Sequence, residues 1–145
     1  KIVLWSPKPG YIDPDLRILN SNKFRFLAIA NPRLAPYGMA AKEVLLKLNL
    51  WKKLQKKIVR GENVGQTFQF IESGNAELGF VAYSQLISSK RELKGSHWKI
   101  SQMLYTPIKQ QAVILKDSKA TSEFISYVRS KAALKIIREN GYDTP

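Results

Sequence analysis

The stretch Phe24–Leu48, FRFLAIANPRLAPYGMAAKEVLLKL, decides the fold. Phe24 to Ala30 reads as a buried strand, because the run is largely apolar and Asn31-Pro32 breaks it cleanly. The loop Arg33-Leu34-Ala35-Pro36-Tyr37-Gly38 then leads into a helix expected over roughly 37–49. Pro36 suits that start, where a missing N–H costs nothing. Ala41, Val44, Leu45 and Leu48 line one helical face, and Glu43 with Lys47 makes an i,i+4 pair on another. Leu50-Trp51 closes the helix against the core.

The same grammar repeats downstream. Lys57 to Val59 is a short strand, Gly61-Glu62-Asn63 a turn, and Asn63 the N-cap of a helix over about 64–73. Val64, Phe68 and Ile71 form its stripe, and Ser73-Gly74-Asn75 ends it. Glu77 to Tyr83 contains the strand Leu78-Gly79-Phe80-Val81, after which Ser84 caps a short helix through Ile87. Trp98–Leu104 and Gln111–Leu115 are further strand candidates. In the last third, Thr121 or Ser122 caps a helix carrying Phe124, Ile125 and Val128. Ser130 caps another carrying Ala133, Ile136 and Ile137, and Asn140-Gly141 stops it. Strands alternating with helices of this length predict an α/β layered domain with a largely parallel sheet.

A chain of 145 residues with 44% apolar content can bury a core of its own, and no run of 18 apolar residues occurs. The absence of cysteine excludes disulfides and thiolate metal sites. The formal net charge is +13, and seven cations fall between Lys42 and Arg60 against Glu43 alone. Such an excess draws anions, whether small oxyanions, nucleic acid or a lipid surface, although a charged run is also an ordinary solvated helix face. Lys1 stands where a Met would, and Ile2-Val3-Leu4-Trp5 enters directly into a strand-like run. The chain is therefore expected to be processed or, better, a fragment of a longer one.

Catalytic patterns are missing. His97 is the lone histidine, no Gly-x-Ser-x-Gly or His-Glu-x-x-His occurs, and Glu62, Glu72 and Glu77 have no spacing suited to acid/base work. Neither a P-loop nor a dinucleotide fingerprint is present. No enzyme activity, metal or cofactor is expected, and nucleic-acid or membrane-surface binding has only the charge behind it. Anion capture by backbone has more. Helices begin straight after a strand and loop at Tyr37-Gly38 and at Val64-Gly65, and each start carries N–H groups and about half a positive charge. Small Gly38 and Gly65 would let an anion approach.

The residues also carry a resemblance. The run Ala28–Leu45 (AIANPRLAPYGMAAKEVL), Gly61–Thr67 (GENVGQT), Gly74–Gln85 (GNAELGFVAYSQ), Leu4-Trp5-Ser6-Pro7 and Gly141-Tyr142 resemble, in order, the periplasmic molybdate-binding proteins of ABC transporters. The resemblance implies a type II periplasmic-binding-protein-like second lobe, with a mixed, mostly parallel sheet flanked by helices. Residues 1–115 would be that lobe, 1–10 its crossover, and 116–145 a helical segment that normally belongs to the first lobe. It implies capture of molybdate or tungstate by the backbone N–H groups of Tyr37 and Val64, with Pro36, Gly38, Asn63, Gly65, Ala82 and Tyr83 in supporting places. In some members a tyrosine hydroxyl also reaches the anion, but here that position is Ala82, with Tyr83 next to it. A permease partner and an extracytoplasmic location follow from the same likeness; sulfate or phosphate remains an alternative ligand. The first lobe, with its hydroxyl donors, would precede residue 1. Phe124, Ile125, Val128, Ile136 and Ile137 would then lose their usual partner surface and either repack on the second lobe or pair with a second copy, by dimerisation or domain swapping. Light scattering at micromolar concentration tests the pairing: its expected mass is dimeric, and a monomer removes the idea.

Overall fold

Two carboxylate hydrogen bonds set where the first parallel strand begins. The computed structural model describes residues 1–88 and 95–144, and the chain divides into compact units Lys1–Ile108 and Lys109–Pro145. In the first unit the strands are β1 (Ile2–Ser6), β2 (Leu27–Ala30), β3 (Ile58–Gly61), β4 (Leu78–Ala82) and β5 (Ser96–Lys99), in sheet order β3-β2-β4-β1-β5. The strand expected from Phe24 starts only at Leu27. Before that point the Glu77 carboxylate takes the N–H groups of Phe26 at 2.9 Å and Arg25 at 3.3 Å, so those donors never join the ladder.

The helices of this unit are α1 (Arg17–Asn20), α2 (Pro36–Lys47), α3 (Trp51–Leu54), α4 (Val64–Glu72) and α5 (Tyr83–Ser88). Helix α2 stops two residues before the expected end because Asn49 adopts a left-handed φ of 57°. Its N–H bonds Leu46 O at 3.0 Å, and the Leu50 N–H returns to Leu45 O at 2.8 Å, a Schellman closure that also brings Leu50 into the core. Helix α4 begins at Val64 as expected, capped by Asn63. Helix α5 starts at Tyr83, so Ser84 lies inside the first turn rather than capping it. The expected strand Trp98–Leu104 is shorter and displaced: β5 ends at Lys99, and Gln102–Leu104 is a 3-10 turn capped by the Ser101 hydroxyl.

The sheet is mixed. β2 runs parallel to β3 and β4, whereas β1 is antiparallel to both β4 and β5, so two of the four pairings are parallel. The parallel half is the one that the repeated strand–helix grammar encodes. Alternation of side chains sorts the core into two layers. Ile2, Leu4, Leu27, Ile29, Leu78 and Phe80 face α2 and its Ala41, Val44 and Leu45. Val3, Trp5, Ala28 and Val81 face α4 through Ile71, and Trp5 stacks on Phe68 at 4.9 Å with an interplanar angle of 8°. Gly79 allows α4 to lie close over β2, since a Cβ there would meet Ala28 O at 2.4 Å and Ile71 Cδ1 at 2.7 Å.

The second unit contains α6 (Lys119–Val128) and α7 (Lys131–Glu139). Ser118, not Thr121 or Ser122, caps α6: its hydroxyl accepts the Thr121 N–H, and the Thr121 hydroxyl turns back to Lys116 O. Ser130 caps α7 as expected. The expected strand Gln111–Leu115 forms no regular structure, and Val113 and Leu115 are 79% and 93% exposed. A strand needs a neighbour to take its N–H and C=O groups, and none is recorded beside this run among the described residues. No helix among the described residues is long and apolar enough to cross a membrane.

Glu77 fastens the end of the sheet where β2 begins. Burial pushes its carboxyl up, but the Phe26 and Arg25 amides, its own amide and the Arg25 charge outweigh that and hold it below the ordinary glutamate value. A depressed folded-state value means stability that is present above the unfolded pKa and lost as pH falls through the folded one. Urea midpoints should therefore decline below about pH 4.3. Glu77→Gln should cost about 1 kcal/mol at neutral pH and flatten the acid decline, leaving only what Asp13 and other carboxylates contribute. An unchanged midpoint at neutral pH would contradict this role.

Candidate functional site

Ala30, Gly61 and Ala82 close the parallel strands β2, β3 and β4 at one end of the sheet, and every loop that follows them starts there. Open α/β sheets bind ligands outside the carboxyl ends of such strands. The Asn31 N–H donates to Gly61 O at 2.7 Å, carrying the β2–β3 ladder one rung past the strands. The Asn31 carbonyl accepts the N–H groups of Leu34 and Ala35, and its side chain accepts that of Arg33. One residue thus folds the whole loop that delivers the chain to α2.

Helix α2 starts after Ala35, which has no capping side chain, with Pro36 first and Tyr37 second. The Tyr37 side chain is part-buried and packs against the core. Gly38 is buried, its N–H donates to Ala35 O, and a Cβ there would lie 2.2 Å from Ala30 O and 2.7 Å from the Asn31 carbonyl carbon. The structure therefore gives Gly38 a task other than admitting an anion: it lets the helix start close onto the end of β2. Helix α4 is built differently. The Asn63 side chain accepts the Gln66 N–H at 2.9 Å, and the Gln66 side chain reaches back to the Glu62 N–H at 2.7 Å, a capping-box arrangement shifted by one residue. The cap spends its oxygen on the third residue of the helix. Among the described residues the N–H groups of Val64 and Gly65 have no acceptor.

The remaining sequence-predicted positions divide. Ala82 ends β4, and its N–H donates to the Gln85 side chain at 2.9 Å. Tyr83 donates its N–H to Lys1 O; its ring lies 6.4 Å from that of His97 and under the Lys99 ammonium at 4.7 Å. Burial and the Lys99 charge hold His97 below the ordinary histidine value. The structure thus brings Pro36, Tyr37, Gly38, Asn63, Val64, Gly65, Ala82 and Tyr83 to one end of the sheet. The polar side chains that shape this end, Asn31, Asn63, Gln66, Thr67 and Gln85, are neutral. Asn31, Gln66 and Gln85 were not marked by sequence reasoning, because each acts through a bond to another loop or cap. A hollow of about 340 Å3 bounded by Tyr11, Asp13, Arg17 and Lys23 lies elsewhere, near the opposite end of the sheet. Its Asp13 carboxylate is already held by the Asp15, Arg17 and Ile18 amides. No group of three or more potential metal-ligating side chains occurs among the described residues.

A parallel strand core with helix starts at its carboxyl edge is a frame that solute-receptor lobes share with other open α/β folds. The family of bacterial extracellular solute-binding proteins matches residues 1–143, and the chain belongs to it. Within that family it is similar to the molybdate-binding protein ModA of Azotobacter vinelandii, 46% identical over 145 residues that make up 98% of this chain and 58% of the relative. ModA of Rhodobacter capsulatus is 42% identical over 147 residues, 99% of this chain and 57% of that protein. The solved structure of the Azotobacter vinelandii periplasmic molybdate-binding protein superposes with a TM-score of 0.90 at 43% identity, over 100% of this chain and 65% of that one. The resemblance read from the sequence therefore holds, and the chain spans about 58% of the length of the first of these relatives.

Gly38 provides a direct check of the geometry. Gly38→Ala forces a methyl group into the Ala30–Asn31 backbone, so it should destabilise the fold by about 2 kcal/mol or more in urea. It should also move the amide resonances of Asn31 and Tyr37. Unchanged stability would mean that α2 does not pack on β2 as described.

Proposed function

We propose that these residues form the second, oxyanion-binding lobe of a molybdate receptor serving an ABC importer. The observation that carries the reading is the start of α4, where the Asn63 cap bonds the third helical residue and, among the described residues, the Val64 N–H has no acceptor. The start of α2 is fastened to the same strand ends through Asn31 and Gly61. A helix start offers about half a positive charge and N–H donors without a counter-ion, which suits a tetrahedral dianion. Similarity to proteins that bear the name molybdate-binding supports molybdate as the ligand. Tungstate, of like shape and charge, falls within the same proposal. So do delivery to a membrane permease, an extracytoplasmic location and the absence of catalysis. In this reading residues 1–115 are the lobe, 1–10 lead into it, and 116–145 pack with the first lobe or a second copy.

The strength of binding by these residues alone follows from the donor count. Two charge-assisted hydrogen bonds contribute about 3–6 kcal/mol before the cost of association is subtracted. That places the dissociation constant no tighter than about 0.1 mM. Titration of the 15N-labelled chain with sodium molybdate at pH 7.5 should move the Val64 and Tyr37 amide resonances together and saturate only in the millimolar range. Sulfate should compete weakly. Shifts confined to surface lysines, or no shifts, would overturn the site; calorimetric binding below micromolar would overturn the two-donor account.

A further inference from the structure

Gln85 joins two segments that are 21 residues apart in the chain, and both belong to the end of the sheet where the ligand is proposed to sit. It is the third residue of α5 and is part-buried. Its side-chain oxygen accepts the Ala82 N–H at 2.9 Å, and its side-chain nitrogen donates to Val64 O at 3.2 Å. The two partners fix which way the amide points, since a backbone N–H only donates and a carbonyl only accepts. A glutamine meets both demands at once. A carboxylate would set a negative oxygen against the Val64 carbonyl, and a leucine would leave the Ala82 N–H unsatisfied and Val64 O without its donor from α5.

Because the peptide unit is planar, holding Val64 O also orients the N–H on the far side of the same plane, which is that of Gly65. The Val64 N–H lies in the preceding peptide plane, whose Asn63 O accepts the Thr67 N–H and hydroxyl. We infer that Gln85 is a positioning residue of the oxyanion site, aiming the Gly65 amide by holding Val64 O against the β4–α5 junction. Gln85 does not touch the anion. It sets the direction of a donor that would otherwise be free to tilt with the first turn of α4, and donor direction is what a site of neutral N–H groups depends on. It also occupies the Ala82 N–H, so the position that the family resemblance equates with a ligand-contacting tyrosine has neither a hydroxyl nor an available amide here.

The inference rests on the receptor reading, and the experiment separates the two. The 145-residue chain is titrated with sodium molybdate at pH 7.5 as wild type, Gln85→Leu and Gln85→Glu, with the Val64, Gly65 and Tyr37 amides followed by 1H–15N correlation spectra. Both variants should weaken the anion about tenfold, the scale on which removal of an outer hydrogen-bonding partner acts on a bound ligand. The Tyr37 amide of the ligand-free protein should stay in place, while that of Gly65 moves. Gln85→Glu carries the readout that a merely structural role lacks. Once protonated, its carboxyl again accepts from Ala82 and donates to Val64 O. The ligand-free Gly65 shift should therefore return toward wild type as pH falls through the carboxyl's pKa, while wild type shows no such step. Should Gln85→Leu fail to fold, this pH step in Gln85→Glu decides alone. Wild type binding with unaltered affinity in the folded variants, or the missing pH step, sinks the inference and leaves the receptor reading standing. A wild type that shows no molybdate-dependent shift removes both.

Discussion

The hydrogen bond from the Asn31 N–H to Gly61 O is the contact on which the proposed site depends. It extends the parallel β2–β3 ladder beyond its last residues and fixes the spacing of two loops that leave the sheet for opposite faces. Helix α2 goes to the layer of Leu27 and Ile29, and α4 to the layer of Ala28 and Ile71. Two helices on opposite faces of one sheet can share a ligand only if their first turns meet at its edge. Each start is held to the strand ends by backbone: Asn31 folds its loop through its carbonyl, Gly38 lets α2 close onto Ala30, and Gly61 leaves room for Thr67, whose N–H and hydroxyl lie 2.8 Å from where a Cβ would be. Side chains of ordinary size at 38 or 61 would push the starts apart.

Charge and donors act at different ranges. Between Arg17 and Gly61 the chain carries eleven Lys and Arg against Glu43 alone, which accounts for +10 of the +13. Much of this charge already has local tasks. Lys53 bonds Asn20, Lys57 bonds Phe24 O and covers its ring, Lys47 bonds Met103 O, and Lys42 lies over Trp51. These partners are neutral and cancel none of the charge, so the excess still makes a field that falls away within about 8 Å at physiological salt and speeds encounter with anions of any kind. The side chains that shape the proposed site are neutral instead. Neutral donors keep the same strength across physiological pH, and they hold an oxyanion by the number and direction of N–H groups, which a point charge cannot specify.

Much of this was legible in the sequence where the signal was local. The strand, the Pro36 start, the Asn63 cap and the apolar stripes of α2 and α4 are read from neighbours within a few positions, and they put both helix starts in the right place. What was not legible needed a partner far along the chain. Glu77 shortens β2 from 51 residues away, and Gln85 reaches Val64 from the next helix. The direction of β1 is set by pairing with β4 and β5, which no property of Ile2–Ser6 announces. Asn49 could have been read as a helix stop, since asparagine tolerates the left-handed conformation, but the apolar pattern ran through Leu48 and hid it. The run 111–115 shows the converse error: its residues suit a strand, and strand propensity without a neighbour gives no strand.

A site made of backbone changes what each residue is selected to do. The Tyr37 ring is part-buried against the core and the Val64 side chain is part-buried on α4, so in the proposed site both residues serve through their backbone. Any residue that packs there could present the same N–H. The chemical requirement passes instead to the residues that hold those amides in place: Asn31 and Gly38 behind the first helix start, and Asn63, Gln66 and Gln85 behind the second. The four polar residues satisfy backbone groups that would otherwise compete for the donors or let them turn, and Gly38 lets its helix start close onto β2. Variation at 37 and 64 should therefore be read through packing. Variation at 31, 38, 63 and 85 should be read through the direction of the amides, because a tilt of the first turn moves every donor at once while leaving the fold intact.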